Sequence, residues 1–218
     1  MSWVQKQIPF QKGLCTSQNL KTLRVFRDDE SPTLPTNLDN GDKMKIRVFQ
    51  IGDVQPNIIK IIVDILNKRF KSKFVIDEKI DIPEEAYDKY RNQYNSEIIL
   101  KSLKKHITAE EKAVGITSND IYAKDLNFIF GQSYEDVCIV STSRLDPKFY
   151  NLPQNFELLI KRTLKETIHE IGHMFGMTHC KNPECVMSFS NSIAYVDDKA
   201  DTFCKDCTLK MTMNGVVI

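Results

Sequence analysis

His169-Glu170-Ile171-Gly172-His173-Met174-Phe175-Gly176-Met177-Thr178-His179-Cys180 is the stretch whose reading decides the fold. It has the form HExxHxxGxxH. Two histidines at i and i+4 lie one turn apart on the same face of a helix, about 40° from each other, so both rings can reach one metal ion. Leu164, Ile168, Ile171 and Phe175 fall on the roughly opposite side and are expected to bury against a sheet, leaving the metal to face solvent. Gly176 supplies the left-handed residue that ends a helix and turns the chain, which brings His179 back as a third ligand. Three nitrogen ligands leave a fourth position for water, the open arrangement of a catalytic zinc site. Zinc would lower the pKa of that water toward ~7, and Glu170, beside His169, would take its proton as general base.

Three of the four histidines lie in this motif; His106, in Lys104-Lys105-His106, reads as a solvated surface residue. The cysteines extend the pattern. Cys180, Cys185, Cys204 and Cys207 form C-x4-C-x18-C-x2-C, two knuckle-like pairs suited to tetrahedral thiolate coordination. A pair of disulfides is the competing explanation. The start, Met1-Ser2-Trp3-Val4-Gln5-Lys6-Gln7, lacks the apolar stretch of a signal peptide, so a second, structural zinc is the expectation. Such a site is closed, and its work is folding rather than catalysis. Because Cys180 directly follows His179, the two metals must share a wall.

Cysteine directly after the third histidine, then Cys185-Val186-Met187 and the F-C-x-x-C of Phe203 to Cys207, resemble the archaemetzincins, a branch of the metzincin zinc metallopeptidases. Supporting matches are Gln93-Tyr94-Asn95-Ser96 with Ile98-Ile99-Leu100, Asn127-Phe128-Ile129-Phe130-Gly131, and Ser143-Arg144-Leu145. The resemblance spans residues 44–207. It implies a mixed α+β, metzincin-like fold: a twisted mixed sheet backed by helices, a long active-site helix, and a small zinc-stabilised C-terminal part. It implies that Met187 is the Met-turn residue beneath the catalytic metal, not a ligand. It also implies that an antiparallel edge strand receives the substrate as an added strand, for which 127–130 and 137–141 are the candidates. Tyr195, eight residues after Met187, is a candidate phenol for stabilising the oxyanion of the tetrahedral intermediate, with plain packing as the competing reading. Arg144 is either a substrate contact or half of a fold-holding salt bridge.

A chain of 218 residues can bury a sizeable core. Thirty Lys and Arg against 29 Asp and Glu create no strong field, so neither nucleic acid nor a membrane surface is an expected partner. No apolar run approaches the ~20 residues of a membrane span. Cytosolic residence, extending to the nucleus, and a monomer are expected. Residues 1–43 contain Ser31-Pro32-Thr33-Leu34-Pro35-Thr36-Asn37 and Asn40-Gly41, turn chemistry without a sustained period, and read as an N-terminal extension or linker. Cys15 within it reads as an idle thiol.

Residues 44–218 read as the catalytic domain, with an upper subdomain over 44–176 and a lower one over 177–218. Strands are expected over 45–51, 73–76, 113–117, 127–130 and 137–141, and helices over 56–70, 83–90, 96–105 and from Pro153 onward. The function expected is zinc-assisted hydrolysis of a peptide or protein substrate by a metal-activated water with Glu170 as base. A zinc-folded binding module with little peptidase activity is the alternative.

Overall fold

The computed structural model describes residues 44–218, so the N-terminal extension and Cys15 lie outside the described residues. The chain opens with strand β1 (Lys45–Ile51), helix α1 (Pro56–Arg69) and strand β2 (Lys73–Ile80). Two short strands, β3 (Tyr87–Asp88) and β4 (Gln93–Asn95), lead into α2 (Ser96–Lys104). Strands β5 (Lys112–Thr117), β6 (Ile121–Tyr122), β7 (Gly131–Tyr134) and β8 (Val137–Ser141) follow. The long helix α3 (Phe156–Met174) precedes two shorter ones, α4 (Ile193–Asp198) and α5 (Lys205–Met213). Mixed α+β architecture is therefore what the pattern produces.

The main sheet has the order β2-β1-β5-β8-β7. Its first four strands are parallel, and β7 runs antiparallel to β8 along one edge. Alternation along each strand sends one set of side chains to each face. Ile46, Val48, Val114, Ile116, Cys138 and Val140 join α1 and α3 in the larger core. Phe49, Ile51, Ala113, Val137 and Ile139 face the other way and pack under Ile99, Leu100 and Leu103 of α2. Each fully buried aliphatic side chain of this kind contributes roughly 1.5–3 kcal/mol. Gly115 makes room for that second layer, since a Cβ there would lie 2.4 Å from Ile51 Cδ1.

Helix boundaries follow local chemistry. Pro56 occupies the first turn of α1, where its missing N–H costs nothing. Asn95 caps α2 by accepting from the N–H groups of Glu97 and Ile98. Asn155 caps α3 through the N–H of Leu158, which starts the helix at Phe156 rather than near Pro153.

Two expectations are corrected. Residues 83–90 form only a 3-10 turn, Glu84–Ala86, followed by β3, which pairs with β4. The Tyr87 and Tyr94 rings meet across that pair at 5.1 Å, and such a cross-strand contact outweighs the helix preference of Glu84, Glu85 and Ala86. Second, neither candidate for the free edge is the edge strand. Val137–Ser141 is interior and buried along its whole length, and 127–130 forms only an isolated bridge, Ile121 to Ile129. The edge is β7, whose Gly-Gln-Ser start carries no strand preference and is held extended by β8.

Candidate active site and cysteine cluster

Helix α3 presents its apolar back to the sheet as expected: Leu164, Ile168 and Ile171 are buried in the larger core. Its metal face does not look out to solvent, however. His169 is 5% exposed, His173 is half-buried and His179 is exposed, so the three rings descend from the interior to the surface. One ligand nitrogen from each lies within 4.8 Å of the others. Gly176 adopts φ +79°, the left-handed conformation that lets the chain leave α3 and return His179.

The hydrogen bonds decide which nitrogens are free. His169 Nδ1 sits 2.8 Å from the Val186 carbonyl, and His173 Nδ1 sits 2.7 Å from the Met177 carbonyl. A carbonyl only accepts, so both Nδ1 atoms carry the proton and both Nε2 lone pairs are left for a metal. Those two Nε2 atoms face each other at 3.0 Å, an arrangement of like lone pairs that a cation between them would relieve. Burial pushes the pKa of His169 down to about 2, with Lys199 acting in the same direction, and burial also lowers His173 and His179. Neutral imidazoles on one helix face fit a zinc ion by donor chemistry.

Glu170 is buried, and burial raises its pKa well above the usual carboxylate range. Glu166 pushes the same way and Lys199 opposes. A carboxylate so raised is a stronger base than one in water. Its position depends on Gly131, the first residue of β7: a Cβ there would lie 2.6 Å from Glu170 Cγ and 2.8 Å from Oε1. The edge strand and the acidic side chain thus interlock through a missing methyl.

Met187 is fully buried. The Ser188 N–H donates to the Cys185 carbonyl at 2.8 Å and closes a tight turn around Val186 and Met187. Gly172 receives the thioether, since a Cβ there would stand 2.3 Å from Met187 Sδ. The same turn supplies the Val186 carbonyl to His169, so it orients the first histidine.

Cys180, Cys185, Cys204 and Cys207 form one group with their sulfurs within 4.8 Å of one another. They are not two separated pairs, and all five cysteines among the described residues are free thiols. Cys204 is the N-cap of α5, and the backbone N–H of Cys207 lowers its pKa, the thiolate-favouring effect of a helix start. Burial raises Cys185 and Cys207. Four convergent sulfurs, one already biased toward thiolate, fit a closed tetrahedral zinc site.

The remaining sequence candidates separate. Tyr195 lies on α4 with its side chain 56% exposed, and the ring that touches His179 is Phe189, at 5.0 Å between centroids. Arg144 forks onto Asp120 at 2.7 and 2.8 Å between the rings of Phe128 and Phe149, a fold-holding knot. His106 joins neither cluster.

Sequence reasoning missed a second set of residues on α3. Arg162 forks onto Asp197 at 2.7 Å, Lys165 donates to the carbonyls of Val196 and Asp197, and Glu166 pairs with Lys199. Arg162, Glu166, His169 and His173 share a stripe about 60° wide at 100° per residue, so the metal face continues two turns upstream as a polar docking face. That 4-3-4 spacing of polar residues was the available signal.

The model of peptidase family M54 matches residues 44–213. An archaemetzincin from Methanocaldococcus jannaschii is 46% identical over 180 residues, covering 80% of this chain and 97% of the relative. A crystal structure of an archaemetzincin from Methanopyrus kandleri superposes with a TM-score of 0.71 at 33% identity, covering 81% of this chain and 98% of that one. A zinc-dependent peptidase from Methanocorpusculum labreanum gives 0.70 at 28% identity, covering 76% and 99%.

Proposed function

The chain belongs to peptidase family M54, the archaemetzincins, and is a zinc-dependent metallopeptidase; on that premise we propose how its residues divide the work. His169, His173 and His179 hold the catalytic zinc, the first two through Nε2. Cys180, Cys185, Cys204 and Cys207 hold a structural zinc. Zinc bound by the histidines would polarise the scissile carbonyl and bring the pKa of water toward ~7. Glu170 accepts the proton of the attacking water on its carboxylate and passes it to the leaving amine nitrogen. Met187 supports the histidines from below. Tyr195, exposed on α4, is assigned no part in the reaction.

The observation that carries this assignment is the convergence of three histidine nitrogens, the first of them one residue along α3 from a buried glutamate. We assign 44–176 to an upper subdomain and 177–218 to a lower one, with the substrate lying extended along β7, the antiparallel edge of the sheet. Among the described residues no helix is long and apolar enough to cross a membrane. A net charge of +1 suits a peptide substrate better than a polyanion, and we take the chain to act as a monomer in the cytosol.

Incubating the purified protein with a diverse peptide mixture, with and without chelator, tests this directly. Cleavage sites read by mass spectrometry should disappear with chelator, and metal analysis should find near two zincs per chain. One zinc per chain, lost together with Cys204→Ser, would remove the two-metal assignment.

A further inference from the structure

We propose that the buried Lys199–Glu166 ion pair is a positioning device for His169 and the turn beneath it, setting how firmly the histidine cluster holds its metal. The inference rests on the histidines being zinc ligands. Lys199 Nζ stands 2.8 Å from Glu166 Oε1, and the two side chains are 1% and 4% exposed. No well-aligned hydrogen bond satisfies that oxygen, so the contact is chiefly one of charge. A buried pair of this kind gives little net stability over an apolar replacement, because both charges have been stripped of water. Its location suggests other work.

The same ammonium lies 3.4 Å from the Ser188 carbonyl, at the end of the Met187 turn, and 3.4 Å from His169 Nδ1. Since that Nδ1 donates to the Val186 carbonyl, Lys199 cannot hydrogen-bond to it. It abuts the protonated edge of the ring instead, closing the side away from Nε2.

Lys199 is delivered from a distance. It caps the C-terminus of α4, and α4 is clamped to α3 by the Arg162–Asp197 fork and by Lys165 on the carbonyls of Val196 and Asp197. One polar face of α3 therefore docks the lower segment and, through Lys199, orients the first histidine. Groups of this kind, acting behind a ligand, typically change metal affinity or activity by about 10–100-fold when removed.

The test uses Lys199→Met, Glu166→Gln and the double variant in the full-length zinc protein. Each single variant leaves one buried charge unpaired and should lower the melting temperature; the double variant, with neither charge, should regain most of it. Zinc retention is then followed by native mass spectrometry against a chelator series, with the cysteine-bound zinc as internal reference. The double variant is expected to lose the histidine-bound zinc at about 10–100-fold lower chelator strength, with kcat falling more than KM rises. Wild-type zinc retention and kcat in that variant would overturn the proposal and leave the pair a fold-holding contact. If the double variant does not fold, Glu166→Asp keeps both charges and shortens the strut by one methylene. It should weaken zinc retention at the histidines alone, and unchanged retention there counts equally against the proposal. Absence of any chelatable second zinc in the wild-type chain would instead overturn the ligand assignment on which the inference stands.

Discussion

The histidine and cysteine clusters meet at the peptide bond between His179 and Cys180, yet the chain builds them in opposite ways. Two of the three histidines stand on a 19-residue helix whose back is buried against the sheet. Their rings are held by carbonyls from outside that helix, Val186 and Met177. None of the four cysteines lies inside a helix except Cys207, in the first turns of α5; the others sit on loops and at a helix cap. Helix α3 is held by its packing against the core, whereas the cysteines stand on a segment with less regular structure to close it. A catalytic site benefits from the first construction, because preorganised ligands leave a coordination position open. A folding site suits the second, because metal binding itself supplies the order.

Four substitutions probe that contrast, taken from the largest expected effect to the smallest. Glu170→Gln should lower peptide turnover by about a thousandfold or more while both zincs stay bound. Assay of kcat beside metal content checks it, and undiminished turnover would falsify the role of the carboxylate. Cys204→Ser should release the cysteine-bound zinc and speed amide exchange across 177–218 by on the order of a hundredfold. Strands β1, β5 and β8 should keep their protection in the same hydrogen-exchange experiment, and loss of protection throughout the sheet would erase the distinction between the two regions. Gly131→Ala should cost about tenfold in kcat by displacing Glu170, with zinc content unchanged. Equal kcat would mean the carboxylate moves aside freely. Tyr195→Phe should change kcat/KM by less than about twofold, since that side chain is largely exposed; a tenfold loss would place the phenol in the reaction.

How much could be read beforehand varied from element to element. Strand β1 and helix α1 were visible because their apolar residues recur at one period over a full element. The buried face of α1 is formed by Ile58, Ile59, Ile62, Val63 and Leu66, while Ile61 and Ile65 are only partly buried. The edge strand was invisible because Gly131, Gln132 and Ser133 carry no pattern of their own. The short strands β3, β4 and β6 escaped for a related reason, each being two or three residues long and defined by partners far along the chain.

By itself the sequence determined which side chains can bind metal. Histidines at i and i+4 share a helix face by geometry alone, Gly176 permits the turn that returns His179, and the cysteines come as two closely spaced pairs. Only the tertiary structure decided how those groups are tuned. The Nδ1 proton of His169, the seat of Glu170 against Gly131, the fit of Met187 over Gly172, and Lys199 behind His169 are all set by contacts outside the motif's own spacing. Local periodicity encodes a face, because a helix repeats every 3.6 residues. A contact across 30 residues repeats nothing, so it becomes legible only when the core has brought its two ends together.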